Sequence, residues 1–191
     1  MAHVDSYPGM NHHRDRTISR RSFLVGSSVV CGIASLGLST SLWADAGSRH
    51  ALSPSAKAAL AQSPLVYISP LLQDGAESRC HGEVWFFVDE GDVVIFTSKD
   101  SWKARALALG RDRARLWVGD FGPVGRAGDR FRKAPAFLAQ AEVDSNPAVF
   151  ERLMKSYGQR YPDEWTKWDP RFRKGHKDGT RELIRYRAIS A

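Results

Sequence analysis

Residues 96–105 read FTSKDSWKAR, and the rest of the chain is best interpreted outward from this stretch. A β-rich run ends in two hydroxyl residues, and a helix follows that Asp100 or Ser101 can cap. Backbone N–H groups in a first helical turn lack intrahelical partners, and the helix dipole favours an anion there. With the hydroxyls of Thr97, Ser98 and Ser101 and the ammonium of Lys103, the stretch predicts a phosphate-binding corner. The alternative is an ordinary capped helix with a solvated basic face.

The segments around this corner alternate between β-rich runs and turns. A long strand is predicted from Ser78 to Asp89, interrupted only by Gly82, and residues 90–92 turn the chain into the strand that precedes the corner. The other strands are predicted at residues 65–71, 113–121, 137–143 and 181–189, and helices at residues 53–62, 101–109 and 147–157. Residues 122–135 are interpreted as a glycine-rich, basic connection, and residues 161–176 as short helical turns at best. Six strands joined mostly by antiparallel turns predict a mainly β domain with α insertions (α+β), built on a small closed or partly open antiparallel barrel.

The long strand has one polar face. Arg79 and His81 alternate with Cys80 and Gly82, so the two pairs lie on opposite sides of the strand. A polar face turned toward a cofactor would let Arg79 and His81 bind it, while Gly82 would permit a close backbone approach. The alternative is a solvent face with an incidental charged pair. No metal site is predicted, because the histidines are widely separated and Cys80 is the only cysteine after residue 46.

The corner resembles that of the pyridoxamine 5'-phosphate oxidase-like family of FMN-binding split barrels. That family's strand-to-helix corner reads Phe/Tyr-Thr-Asn-x-x-Ser-Arg-Lys, and this chain has Thr97, Ser101 and Lys103 at the same spacing. The resemblance covers roughly residues 53–144. It implies a six-stranded antiparallel split β-barrel, and it implies that these three residues hold the FMN phosphate.

The same resemblance implies a function. It indicates a flavoprotein, an FMN-dependent oxidoreductase acting on a small-molecule substrate, and a homodimer with two FMN sites at the subunit interface. No residue is assigned as catalytic, because none has the spacing of a nucleophile or general base. The alternative is a non-enzymatic split-barrel module that binds haem or flavin, and haem or a deazaflavin is the alternative cofactor.

Three departures from the family pattern limit the resemblance. Trp102 occupies the position where the oxidases carry arginine, and it could pack against the flavin or fill the barrel rim. Arg79 lies near the family's second-strand arginine, but no lysine follows it on that strand. The C-terminal signature for pyridoxal phosphate is not recognisable in residues 181–187. The fold and the flavin site therefore transfer better than the vitamin substrate does.

The N-terminal stretch contains a predicted export signal. Residues 19–25 read SRRSFLV, which matches a twin-arginine export signal, and the run that follows to Trp43 is diluted by glycine and serine. The small residues Ala44 and Ala46 predict cleavage after Ala46, leaving residues 1–46 as signal and 47–191 as the working domain. The twin-arginine translocation machinery is thus a predicted partner and the periplasm the predicted location. The alternatives are an uncleaved membrane-anchoring helix and a lipoprotein processed at Cys31.

The charge of the chain favours anionic partners. Its formal net charge is +7 at pH 7. Nucleic acid is not predicted as the partner, because the arginine-rich residues 126–133 and 171–174 accompany no nucleic-acid motif and the predicted address is periplasmic. Stable membrane insertion after cleavage is not predicted either. With Cys80 alone after residue 46, the working domain cannot form an intramolecular disulfide.

Overall fold

The structure is a computed structural model that describes residues 51–190, so the predicted export signal at residues 1–46 lies outside the described residues. The helices are α1 (Pro54–Gln62), α2 (Trp102–Ala108), α3 (Val124–Ala127), α4 (Pro147–Arg160) and α5 (Pro162–Lys177). The strands are β1 (Val66–Pro70), β2 (Gly82–Val84), β3 (Phe87–Asp89), β4 (Asp92–Ser98), β5 (Arg113–Val118), β6 (Ala136–Asp144) and β7 (Arg181–Ile189). No helix within residues 51–190 is both long and apolar enough to cross a membrane.

All seven strands belong to one antiparallel sheet in the order β2-β1-β5-β6-β7-β4-β3. β2 and β3 occupy opposite edges of this sheet, yet only Trp85 and Phe86 separate them in the chain. The three residue steps from Val84 to Phe87 can span only about 10 Å, so the sheet must curl until these two edges approach each other. The result is a curled half-barrel, which confirms the predicted α+β class and antiparallel barrel.

The strand count differs from the sequence prediction. The long strand expected from Ser78 to Asp89 divides into β2 and β3, and the sheet therefore has seven strands rather than six. The break falls at Trp85 and Phe86 and not at Gly82, because the chain leaves the edge of β1 there and joins the edge of β4.

Two tyrosines satisfy the backbone groups that this break removes from the ladder. The Tyr157 hydroxyl donates to the Trp85 carbonyl at 2.7 Å, and the Phe86 N–H donates to the Tyr161 hydroxyl at 3.2 Å. Tyr161 also stacks on Trp85, with ring centroids 4.1 Å apart, and donates to the Pro64 carbonyl at 2.8 Å. Burial raises the pKa of Tyr161 to about 12, so this hydroxyl remains a donor at neutral pH.

The barrel interior forms the main core, and one helix packs at each end of it. Val66, Ile95 and Leu116 are among its fully buried side chains. Following the antiparallel pairings from β1 across to β4 shows that these two strands run in the same direction. α1 precedes β1 and α2 follows β4, so the two helices lie at opposite ends. Both contribute to the core, α1 through Leu60 and α2 through Ala104.

The outer face of the sheet beside β3 and β4 is covered by α4 and α5. The prediction of short helical turns at residues 161–176 was wrong, because α5 is a helix of 16 residues. Trp165, Trp168 and Phe172 recur at helical spacing and pack into the aromatic cluster beneath, while Pro170 is exposed. Burial of this apolar stripe outweighs the backbone hydrogen bond that a proline inside a helix removes.

A second outer cover forms where the sequence predicted only a connection. Residues 122–135 contain α3 and a 3-10 helix at Gly128–Lys133. Phe131 of this 3-10 helix stacks on Tyr67 of β1 with ring centroids 4.8 Å apart, and Trp117 of β5 joins them. The apolar residues of segment 122–135 therefore pack into a small separate hydrophobic core.

Candidate functional site

The corner between β4 and α2 has the local structure that the sequence predicted. Ser101 is the N-cap of α2 and accepts a hydrogen bond from the Ala104 N–H at 3.3 Å. Thr97, at 7% exposure, donates from Oγ1 to the Ser101 Oγ at 3.1 Å. Ser98 stabilises the turn itself, since its Oγ accepts from the Asp100 N–H at 3.2 Å. Three hydroxyls are thereby gathered at the start of one helix.

Lys103 and Trp102 form the outer part of this corner. The Lys103 ammonium lies 4.5 Å from the centroid of the Trp102 ring, and both side chains are partly exposed. Trp102 packs against the barrel core, and a Cβ atom built on Gly82 would lie 3.6 Å from its Cζ2. Trp102 therefore packs at the barrel rim, and its contact with a flavin stays a prediction.

Arg79 and His81 lie at the same end of the barrel as the corner, since β2 starts there and pairs with the end of β1. Their side chains do not join the corner in the same way. The His81 ring lies 5.6 Å from the ring of Phe131, on the side of the sheet covered by the 3-10 helix. Its Nδ1 is buried and has no hydrogen-bond partner among the described residues. Arg79 is exposed. The structure thus brings Gly82, rather than His81, against Trp102.

The start of β7 supplies a wall of the corner that sequence reasoning missed. Thr97 lies opposite Glu182 in the ladder and Ser98 lies opposite Arg181, so paired side chains share a face. The Lys99 N–H donates to the Thr180 carbonyl at 3.0 Å, which ties this turn to β7. Residues 181–189 were predicted as a strand, but no local signal indicates that their partner is β4.

The charges at the corner are mixed, with basic residues in excess. Lys99, Lys103 and Arg105 lie on the turn and the first helical turns, whereas the Arg181 guanidinium lies 5.3 Å from the Phe172 ring of α5. Asp100 and Glu182 carry the opposing charges. A dianionic phosphate would gain from the lysines and the helix dipole but would meet repulsion from these two carboxylates.

A separate cavity of about 410 Å³ lies over the outer face near β6 and β7, and ion pairs occupy its floor. Arg185, with a side chain 8% exposed, donates to Asp89 at 2.6 Å, to Asp92 at 3.3 Å and to Asp144 at 2.8 Å. Burial alone would lower the pKa of Arg185, but its hydrogen bonds to Asp89 and Asp144 raise it instead. Hydrogen bonding to Arg152, and then to Arg185, lowers the pKa of Asp89. This network joins four strands and α4, and we assign it a structural role.

Within residues 51–190, no group of three or more histidine, cysteine, aspartate or glutamate side chains is arranged to hold a metal ion. The β4–α2 corner is the candidate cofactor site because it gathers hydroxyl groups and a lysine at a helix start. Of the sequence-predicted residues, five meet at this corner: Thr97, Ser98, Ser101, Trp102 and Lys103.

No protein-family model and no curated protein sequence matches the chain. Several solved structures match it. A conserved hypothetical protein from Mycobacterium tuberculosis matches with a TM-score of 0.50 and 21% identity, over 74% of this chain and 84% of that one. The haem storage protein HutZ from Vibrio cholerae matches with a TM-score of 0.46 and 13% identity, over 74% and 93%. A candidate pyridoxamine 5'-phosphate oxidase from Listeria innocua matches with a TM-score of 0.45 and 10% identity, over 71% and 91%. At these identities the likeness concerns the fold alone, and the curled antiparallel sheet of this chain is consistent with the split barrel that the sequence predicted.

Proposed function

We propose that this chain is an exported flavoprotein that binds FMN through its phosphate at the β4–α2 corner, and that it acts as an oxidoreductase on a small molecule. The observation that carries the proposal is the Thr97–Ser101 hydroxyl pair, 3.1 Å apart, directly beside Lys103 at a helix start. Hydroxyls, first-turn N–H groups and an ammonium are the donors that a phosphate uses.

The residues at the corner would play different roles in binding a phosphate. Ser101 and Lys103 are partly exposed and would contact the phosphate directly. Thr97 is buried, so it would act mainly by orienting the Ser101 hydroxyl. Ser98 would hold the turn, and Trp102 would close the barrel rim beneath the ligand.

The rest of the proposed chemistry belongs to the ligand. Bound FMN would supply two-electron or hydride chemistry through its ring, and the protein would bind and orient it. Arg79 and His81 remain proposed second-rank contacts, reached from the same end of the barrel. A homodimer with its sites at the interface is part of the proposal, and so is export to the periplasm, which is supported by the SRRSFLV motif.

An FMN titration followed by flavin absorbance and fluorescence tests the proposal. The full chain should bind FMN saturably, and Lys103→Ala should weaken binding by the value of a charge-assisted phosphate contact, about 1.5–3 kcal/mol. This corresponds to an increase in Kd of about 10- to 150-fold.

Lys57→Ala is the matched control, because Lys57 lies on α1 at the opposite end of the barrel. It should bind FMN as the parent chain does. A folded chain that binds no FMN, or an unchanged Kd in Lys103→Ala, would contradict the assignment of the β4–α2 corner as the FMN phosphate site. Saturable haem binding without FMN binding would replace the flavoprotein with the haem-binding alternative.

A further inference from the structure

A second cavity in the described part of the chain, of about 630 Å³, lies at the end of the barrel opposite the proposed FMN corner. Its walls come from α1, the β3–β4 hairpin, α4 and the end of β7. The start of β4 and the start of β1 lie at the same end of the barrel, opposite the end where α2 packs. This volume is within the range of small-molecule sites, about 300–1,000 Å³.

One side of this cavity is apolar. Leu60 of α1, Val88 of β3 and Ala188 of β7 contribute to it. Val88 is 42% exposed, although its neighbours Phe87 and Asp89 are each 5% exposed. An aliphatic side chain between two buried residues thus faces open space within a concave surface, where an apolar ligand group would remove it from water.

Two cations border the apolar wall. The Arg160 guanidinium lies 4.4 Å from the Phe86 ring centroid, and its Nη2 donates to the carbonyls of Leu60 and Ser63. Its Nε and Nη1 groups have no hydrogen-bond partner in residues 51–190. Lys57 reaches the same cavity from α1, and none of the carboxylates that the structure describes pairs with it or with Arg160.

The two carboxylates that reach the cavity interact with cations outside it. Asp92 is 4% exposed and pairs with Arg185 at 3.3 Å and Arg187 at 3.5 Å. Glu90 interacts electrostatically with Arg152. Lys57 and Arg160 are therefore the charged groups of the cavity that have no ion-pair partner among the described residues.

We propose that this cavity is a second ligand site, which takes a small amphipathic anion. The apolar body of the ligand would lie against Leu60, Val88 and Ala188, and its carboxylate or sulfonate would bind Arg160 and Lys57. The Nε and Nη1 groups of Arg160 and the Lys57 ammonium are the donors that remain for the oxygens of such a group, because both Nη2 hydrogens of Arg160 are already donated. This site does not depend on the FMN proposal, because the two lie at opposite ends of the barrel.

Titration of the full chain with 8-anilinonaphthalene-1-sulfonate, an aromatic sulfonate whose fluorescence rises on apolar burial, tests the site. We expect saturable binding at one site per chain. Val88→Glu, which places a negative charge on the exposed apolar wall, should weaken binding at least about tenfold. Arg160→Gln and Lys57→Gln should each weaken it severalfold.

Val143→Glu is the matched control, since Val143 is also an exposed strand valine, at 48%, and does not line this cavity. It should bind the probe as the parent chain does. If Arg160→Gln does not fold, the comparison of the two valine variants still decides the matter. Absence of saturable binding by the full chain, or equal losses in Val88→Glu and Val143→Glu, would overturn the proposal. FMN binding should be unchanged in Val88→Glu, so the two sites fail or succeed separately.

Discussion

Replacing Arg185 with methionine removes the cation at the centre of the buried network and leaves its three carboxylates in place. Asp89, Asp92 and Asp144 have side chains only 5–10% exposed, so water cannot replace the lost guanidinium. Arg185 also donates to the Asp89 carbonyl at 3.2 Å. Breaking a buried ion pair from one side costs about 3–5 kcal/mol. We expect a loss of this size in the free energy of unfolding.

The loss should depend on pH in a defined direction. In the parent chain the folded-state pKa of Asp89 is lowered, so its contribution to stability is present above the unfolded pKa of about 3.9 and is lost as the pH falls through the folded value. In Arg185→Met the folded-state pKa of Asp89 should be higher than in the parent chain, because Arg152 alone remains to lower it while the neighbouring carboxylates repel its charge. Protonation then relieves the repulsion. The deficit of the variant should be largest at pH 7 and smaller near about pH 5.

Urea denaturation at these two pH values measures the effect. Arg173→Met serves as the control, because Arg173 is 52% exposed and pairs with Asp169 at the surface, where such pairs contribute about 1 kcal/mol or less. A loss in Arg185→Met no larger than that of the control, or a deficit that grows on acidification, would refute the assignment of this network to stability. If Arg185→Met does not fold at pH 7, its recovery of structure near about pH 5 becomes the readout.

Three further substitutions, one of them with a matched control, test the packing and one turn. Tyr161→Phe leaves buried backbone groups at the strand break without their partner and should cost about 1–3 kcal/mol in the free energy of unfolding by urea. Gly158→Ala places a Cβ 2.8 Å from Nε1 of Trp165 and should lower the free energy of unfolding by about 1–3 kcal/mol. Its control is Gly125→Ala, which has nothing within 4 Å of the new atom and should be neutral or slightly stabilising. Equal effects of the two variants would show that the α4–α5 contact is not tight. Glu90 has a φ of +54° in the two-residue turn between β3 and β4, so Glu90→Asn should raise the melting temperature, and a lower one would indicate that the glutamate side chain matters more than the turn.

Features set by neighbouring residues were predictable from the sequence. Ser101 caps the helix three residues ahead of the N–H that it binds, and β7 covers the same residues, 181–189, as the predicted strand. Both depend on contacts or alternation within a few positions. The family resemblance of the corner also rests on this local spacing, and the structure gathers the five corner residues accordingly.

Features set by distant residues were not predictable. Trp85 and Phe86 are both strong strand formers, and the groups that satisfy their break come from Tyr157 and Tyr161, 72 and 75 positions away. The face of the sheet on which the His81 side chain lies was not predictable from the sequence either. Alternation places it opposite Gly82, but only the register of β2 on β1 and the cover by the 3-10 helix decide which face meets the corner.

Phosphate binding at the β4–α2 corner is tested most directly by comparing FMN with riboflavin, because the two ligands differ only in the phosphate group. Isothermal titration of the full chain should give a lower Kd for FMN than for riboflavin, by about 10-fold or more. In Lys103→Ala most of this difference should disappear, while riboflavin binding should stay as it was. Equal affinities for the two ligands in a folded parent chain, or a preference for FMN that survives Lys103→Ala, would contradict the claim.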